Sequence, residues 1–363
     1  MNPLNVGILG ATGMVGQRFI ELLENHPWFN VRVVAASPQS AGKLYANAVE
    51  NRWEMDRPIS KSIGELVVQA VESDVEEIVK QVDFVFCALD MDKEDIKRIE
   101  SIYAAKGIPV ISNNSAHRWT EDVPMIIPEI NPEHSGLINI QRKNRGWKEG
   151  FIAVKPNCSI QSYVSVLSAL REFEPLQVNV VSLQSISGAG KTFTSWPEMI
   201  DNAIPHIQGE EEKSEKEPLK IWGSLENDRL TVASMPEISA TCIRIPTENG
   251  HLASVAVKFR KKPTRSQFVD CLERFSNPLA DLQLPSSPKN FIQFFSSDDR
   301  PQIKLDRDFE NGMGISVGKL QEDCFFDWKF IALSHNTVRG AAGGAILMAE
   351  LLLKQGYLRK KKL

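Results

Sequence analysis

Cys158 stands in Lys155-Pro156-Asn157-Cys158-Ser159-Ile160-Gln161, where a strand-like run ends and helical spacing begins. A thiol at a helix start favours its thiolate, because the dipole and the free N–H groups of the first turn stabilise negative charge. Such a cysteine is equipped to act as a nucleophile. The plainer reading of any single cysteine is a small buried hydrophobe, and Cys87 in Phe84-Val85-Phe86-Cys87-Ala88-Leu89 fits that reading. A second set lies in Arg244-Ile245-Pro246-Thr247-Glu248-Asn249-Gly250-His251, which joins two strand-like runs. A guanidinium suits carboxylate recognition, and an imidazole moves protons near neutral pH. A hairpin with one at each end either turns both to a common site or is an ordinary polar surface turn.

A third set is Gly10-Ala11-Thr12-Gly13-Met14-Val15-Gly16, between the first strand and the first helix. Glycines at Gly10, Gly13 and Gly16 allow a tight turn that brings backbone N–H groups to a pyrophosphate at a helix N-terminus. The spacing is GxxGxxG, so Thr12, Met14 and Val15 fill the places around the phosphates. The second strand ends Ala35-Ala36-Ser37-Pro38-Gln39-Ser40-Ala41-Gly42-Lys43, without the acid that usually holds a ribose 2′-hydroxyl. Ser37, Ser40 and Lys43 suit a 2′-phosphate better, which favours NADP over NAD. The alternative is a β-α turn and a surface loop with no ligand.

These groups need a scaffold. The chain has 363 residues, 42% hydrophobic and 24% charged, enough for two domains with their own cores. A net charge of -4 argues against a nucleic-acid binder. Five cysteines without a CxxC and six histidines without zinc-ligand spacing point to no disulfide framework and no metal site. The N-terminus lacks a signal-peptide pattern, and no apolar run is long enough to span a membrane, so a cytoplasmic location is expected. The tail Arg359 to Lys362 reads as a solvated end.

The first 115 residues alternate strand and helix signals. Strands are expected at Leu4 to Leu9, Val31 to Ala36, Asp83 to Leu89 and Ile108 to Ser112, with helices at Met14 to Asn25 and Lys93 to Lys106. That alternation predicts a parallel sheet with helices on both faces. Later, a helix over Ser159 to Phe173 precedes longer alternating runs at Val178 to Ser185, Ile238 to Ile245, Leu252 to Arg260 and residues 326 to 333. These predict a mainly antiparallel sheet with one open face. A final helix over Thr337 to Gln355 is expected to return to the first sheet. The fold class is therefore α/β. An N-terminal Rossmann dinucleotide-binding domain (1–156 and 337–363) carries an inserted α+β catalytic and dimerisation domain (157–336).

Taken in order, the motifs make the chain resemble the aspartate-semialdehyde dehydrogenases, most of all their archaeal and fungal branch. The resemblance rests on the glycine loop, Asn113-Asn114-Ser115-Ala116-His117-Arg118, Asn157-Cys158-Ser159, Ser182-Leu183-Gln184-Ser185-Ile186-Ser187-Gly188-Ala189-Gly190, Gly209-Glu210-Glu211-Glu212-Lys213 and His335-Asn336-Thr337-Val338-Arg339-Gly340. It implies NADPH-dependent conversion of L-4-aspartyl phosphate to L-aspartate 4-semialdehyde and phosphate, in the biosynthesis of lysine, threonine and methionine. It implies Cys158 as nucleophile beside Asn157, His251 as acid and base, and Gln184 as the group that positions substrate. Arg244 would hold the α-carboxylate, Glu210 the amino group, and Arg118 with Lys213 the phosphate. Glu211 or Glu212 replaces Glu210 if the register slips. Ser187, Gly188 and Asn336 would touch the cofactor, and Gln161 either lines the helix or approaches it. Relatives often carry an arginine near Gln39, so its absence leaves room for dual use of NAD. The resemblance also implies a homodimer or homotetramer.

Other readings stay open at this point. Malonyl-CoA reductase is similar in scaffold and also uses a cysteine. N-acetyl-glutamyl-phosphate reductase typically has Gly-Cys-Tyr in place of Asn157-Cys158-Ser159, and glyceraldehyde-3-phosphate dehydrogenase normally has an acid after its second strand. An inert NADP-binding sensor is the reading of a different class.

Overall fold

Alternate residues of the N-terminal strands separate into two hydrophobic clusters. Val6, Ile8, Phe84, Phe86 and Ile111 fill one, and Leu9, Val33, Val85, Cys87 and Val110 fill the other. A period of two with both sets buried means a sheet covered on both faces. In the computed structural model, which describes residues 2–275 and 278–361, that sheet has six parallel strands. They are β1 (Leu4–Leu9), β2 (Phe29–Ala36), β3 (Gln69–Ala70), β4 (Phe84–Cys87), β5 (Val110–Ser112) and β6 (Ile152–Val154), in the order β3-β2-β1-β4-β5-β6. The first helix, Met14–Leu23, covers one face through Phe19, Ile20 and Leu23. Helix Lys93–Ala105 covers the other through Ile96, Ile99 and Tyr103. The closing helix, Gly343–Lys354, joins the first helix on its face, with Ile346, Leu347, Leu351 and Leu352 in the same cluster.

The later chain builds β7 (Pro175–Gln184), a small hairpin of β8 (Ser224–Glu226) and β9 (Arg229–Thr231), then β10 (Glu237–Arg244), β11 (His251–Phe259), β12 (Ile292–Phe294), β13 (Ile315–Glu322) and β14 (Trp328–Ser334). Apart from the hairpin they form one sheet, β10-β7-β11-β14-β13-β12. The central pairings are antiparallel, but β10–β7 and β12–β13 run parallel. The sheet is therefore mixed, and mostly antiparallel as expected. Helices Gln161–Ala169 and Arg265–Arg274 seal one face, with Val164, Leu167, Phe268 and Leu272 against Val178, Val255 and Phe330. The other face carries Asn179, Ser254 and Lys329 exposed beside half-buried Val181 and Ile331.

Two helices depart from expectation in useful ways. The run expected over Ser159 to Phe173 is helical only over Gln161–Ala169 and ends in a 3-10 turn at Arg171–Phe173. The closing helix is preceded by a widened turn, Val338–Ala342, in which Ala341 takes φ −140°, ψ −106°. Such π-type turns often mark functional positions, and this one meets Cys158. No helix among the described residues is long and apolar enough to cross a membrane. Lys362 of the basic tail lies outside the described residues.

Candidate active site

β6 delivers the chain to Lys155 and Pro156, and the turn that follows presents Cys158, partly exposed, before the helix begins at Gln161. β11 opens with His251, fully buried, and its Nε2 lies 3.5 Å from Cys158 Sγ. Arg244 and His251 do reach one place, but not as the two ends of a paired hairpin: β7 lies between β10 and β11, and Gln184, Arg244 and His251 all stand at the same end of these three strands. Gly188 closes over both: a Cβ there would lie 2.9 Å from Arg244 Nη1 and 3.1 Å from His251 Nε2. Arg244 donates to the Ser185 carbonyl at 2.7 Å.

His251 Nδ1 has two neighbours on Ser185, the backbone N–H and Oγ, each at 3.2 Å. They correspond to two tautomers. When Nδ1 accepts from the N–H, Nε2 carries its proton toward Sγ. When Nδ1 donates to Oγ, which in turn donates to Asn336 Oδ1 at 3.3 Å, Nε2 is bare and takes the thiol proton. Asn336 is held by Gly250 N–H at 2.8 Å and donates to Ser187 Oγ at 2.8 Å. Its amide is therefore a strut beneath the histidine.

Glu210 is the anionic centre of the site. It begins helix Glu210–Ile221 and accepts from Asn157 Nδ2 at 2.8 Å, Gln184 Nε2 at 3.2 Å and Lys213 Nζ at 2.8 Å. Burial pushes its carboxyl up, but the Lys213 charge and the hydrogen bonds from Lys213, Asn157 and Gln184 outweigh that, so it titrates below the ordinary value. Of the three neighbouring acids, Glu210 is buried, Glu211 half-buried and Glu212 exposed, and it is Glu210 that meets Asn157 and Gln184. Glu217, seven residues on and on the same face, accepts from Arg118 Nη1 at 2.8 Å and from the Asn157 N–H at 2.7 Å. Arg118 also donates to the Lys155 and Asn113 carbonyls, which uses three of its five N–H donors. Its first task is to brace the cysteine turn.

The expectation of a thiol acidified by a helix start is corrected by the structure. Crowding around Cys158 raises its pKa, the Glu210 charge adds to this, and Lys155, Arg118 and Arg244 only partly oppose it. The helix begins at Gln161, three residues after Cys158. His251 is pushed down to about 3, by burial first and the Arg244 charge second. Both shifts favour the uncharged thiol and imidazole over a thiolate–imidazolium pair. Glu210→Gln is expected to lower the inflection pH of Cys158 alkylation, because it removes the nearest anion; an unchanged or raised inflection contradicts this electrostatic picture.

Buried histidines also set acid stability. His251 and His335 titrate near 3 and His117 near 4, all chiefly through burial, against 6.5 in an unfolded chain. The unfolded state binds these protons first, so the stability is complete above about pH 6.5 and declines as pH falls toward 4. Each contributes up to about 1.4 kcal/mol per pH unit in that window. Melting curves should show a steep fall between neutral pH and about 5; a flat melting temperature across that range contradicts the assignment.

The glycine loop fits a dinucleotide. Gly10 has φ +86°, and a Cβ there would lie 2.3 Å from the Ala88 carbonyl oxygen; a Cβ on Gly16 would lie 2.2 Å from the Gly10 carbonyl. No side chain caps the first turn after Gly13, which leaves its N–H groups for phosphate oxygens. A cavity of about 320 Å³ lies on one side, lined by Gly10, Thr12, Gly13, Ser37, Pro38, Glu72, Ser73 and Asp90 among others. A second of about 310 Å³ lies on the other, lined by Met14, Arg18, Ser187, Glu248 and Asn249 among others. Val15 and Gly16 pack behind the turn, outside both linings. Ser37 faces the first cavity, whereas Ser40 is buried and Lys43 is exposed, and neither lines it. Glu72 and Asp90 were invisible in sequence because they come from the edges of β3 and β4 rather than from the end of β2.

Residues 5–138 match the semialdehyde dehydrogenase NAD-binding domain, and residues 167–339 the semialdehyde dehydrogenase dimerisation domain. The chain is 42% identical to the aspartate-semialdehyde dehydrogenase of Archaeoglobus fulgidus over 97% of its length and 98% of that protein. It is 42% identical to that of Schizosaccharomyces pombe, over 97% and 99%. The crystal structure of aspartate semialdehyde dehydrogenase with NADP from Candida albicans superposes with a TM-score of 0.87 at 35% identity, covering 97% of this chain and 99% of that one. Agreement over the full length, together with the cysteine–histidine pair and the glycine loop, places the chain in the aspartate-semialdehyde dehydrogenase family.

Proposed function

We propose that the protein reduces L-4-aspartyl phosphate to L-aspartate 4-semialdehyde, reversibly, with release of inorganic phosphate, in the biosynthesis of lysine, threonine and methionine. The observation that carries this is the arrangement around Cys158: a thiol 3.5 Å from an imidazole, with a guanidinium and a paired carboxylate beside it. A small zwitterionic substrate needs such a fixed cation and anion on either side of the reacting carbon.

Cys158 Sγ attacks the acyl carbon as its proton passes to His251 Nε2, and the carbon–oxygen bond to phosphate breaks, leaving a thioester. Arg244 binds the α-carboxylate, Glu210 the ammonium, and Gln184 fixes the carbonyl near the thiol. Lys213, half-buried, and the two spare donors of Arg118 receive the departing phosphate. NADPH, when bound along the glycine loop, supplies the hydride that the thioester carbon requires. The carbon–sulfur bond then breaks, and the proton held by His251 restores the thiol. Met14, Ser187 and Gly188 would hold the nicotinamide end of the cofactor, and Gly10, Thr12, Gly13 and Ser37 its adenosine end, with Asn336 supporting Ser187. Ser37 with no arginine at Gln39 supports NADP with room for NAD.

We place the division at 1–156 with 337–363, and 157–336. Packing of the closing helix on the first sheet supports it. The match to a dimerisation domain and the half-apolar open face of the second sheet support a homodimer or homotetramer. Five free cysteines are consistent with the cytoplasm. The test is NADPH formation from L-aspartate 4-semialdehyde, NADP+ and phosphate. Phosphate-dependent formation is expected; a folded, NADP-binding protein that gives none overturns the substrate.

A further inference from the structure

A thiol has one proton, and at Cys158 two acceptors among the described residues lie in reach of it. His251 Nε2 is 3.5 Å from Sγ, and Asn157 Oδ1 is 3.4 Å away. The proposed mechanism uses the first and leaves the second without a task. Asn157 is 4% exposed, and its neighbours fix which end of its amide faces the sulfur. The ionised Glu210 carboxylate can only accept, so the atom 2.8 Å from its Oε2 is the amide nitrogen. The Ser159 N–H can only donate, so the atom 3.3 Å from it is the amide oxygen. The two requirements agree, and the oxygen is the end turned to Sγ.

The main chain of Asn157 is held as closely. Its N–H donates to Glu217 Oε2 at 2.7 Å, and its carbonyl accepts from Gln161 Nε2 at 3.1 Å. Glu217 is itself buried and paired with Arg118. Glu210 and Glu217 stand on one face of one helix, so a single rigid element sets both the side chain and the backbone of Asn157. We propose that Asn157 is a positioning residue for the nucleophile: its side-chain oxygen accepts the Cys158 S–H in the resting enzyme and holds the sulfur within reach of His251. No bond breaks at this contact. The proton leaves Sγ for His251 Nε2 as the acyl carbon is attacked, and Oδ1 keeps only the Ser159 N–H. The contact serves the neutral thiol and not the thiolate, so it makes the thiol less acidic while it fixes its place. The inference deepens the proposed function, since it takes Cys158 as the nucleophile.

Asn157→Ala removes the acceptor and separates the two effects. Iodoacetamide labelling of Cys158, followed by mass spectrometry across pH, should show an inflection about half a unit lower, and labelling about threefold faster at neutral pH. Turnover should instead fall about tenfold with KM little changed, because the sulfur has lost its anchor. A merely loosened turn slows turnover and leaves the inflection where it was. An unchanged or raised inflection in folded Asn157→Ala therefore overturns the proposal, whatever the turnover. Exposed Cys324 serves as the labelling control. If that variant does not fold, the Cys158 S–H stretching band is isolated by infrared difference between the native protein and Cys158→Ser. A proton directed at Asn157 keeps its band when the same difference is taken in His251→Ala. A band that moves there to the frequency of a free thiol overturns the proposal. Neither labelling nor infrared needs substrate, so failure of this contact is distinguishable from failure of the substrate assignment.

Discussion

Cys158→Ser is expected to lower turnover by about 10⁴-fold or more while NADP binding and the melting temperature stay close to native. The argument is one of acidity. His251, held near 3, is a weak base, and it is adequate only because a thiol gives up its proton far more readily than a hydroxyl. Serine keeps the shape and the 3.5 Å approach but asks the same base for a much harder deprotonation. A thioester is also a better leaving arrangement than an ester, so the second half of the reaction suffers as well. Steady-state turnover with intrinsic-fluorescence titration of NADP separates loss of chemistry from loss of binding. Activity within tenfold of native in the serine protein contradicts the role given to Sγ.

Arg339→Leu is expected to destabilise the fold by about 3–5 kcal/mol. Arg339 and Glu129 form a two-pronged pair at 2.6 Å and 2.6 Å, each side chain 1% exposed, with the guanidinium also stacked 4.7 Å over Phe291. Removing the cation alone strands a buried carboxylate. The double variant Glu129→Leu with Arg339→Leu should recover most of that loss, because two apolar groups leave no charge behind. Activity should not recover in step, since Arg339 precedes Gly340, against which Cys158 is packed. Urea unfolding of the native protein and the two variants makes the comparison; a single variant no worse than the double contradicts the stranded-charge account.

The sequence made the two sheets legible because their strands carry clear periodicity. Two-sided burial in β1 and β4 reads as continuous apolar runs, and β7 and β11 alternate. It was silent on β12, only three residues long, and on the parallel direction of β10, which depends on a crossover and not on its residues. Cys158, His251 and Arg244 could be singled out because their residue types are uncommon at such joints. Glu217 was missed, although its seven-residue spacing from Glu210 on one helix was available as a signal. Glu129 and Ser185 had no local signal, since their roles come from contacts made across the fold. The acidity of Cys158 was misjudged for the same reason. A helix start is visible in sequence, but the burial and the Glu210 charge that raise the thiol are tertiary facts.

The account turns on a covalent bond at Cys158. The most direct measurement incubates the protein with L-aspartate 4-semialdehyde and NADP+ but no phosphate, digests it at low pH and weighs the Cys158 peptide. The account predicts one aspartyl acyl group on Cys158, formed with one NADPH and discharged when phosphate is added. NADPH formed with Cys158 unmodified, or an acyl group on another residue, contradicts it.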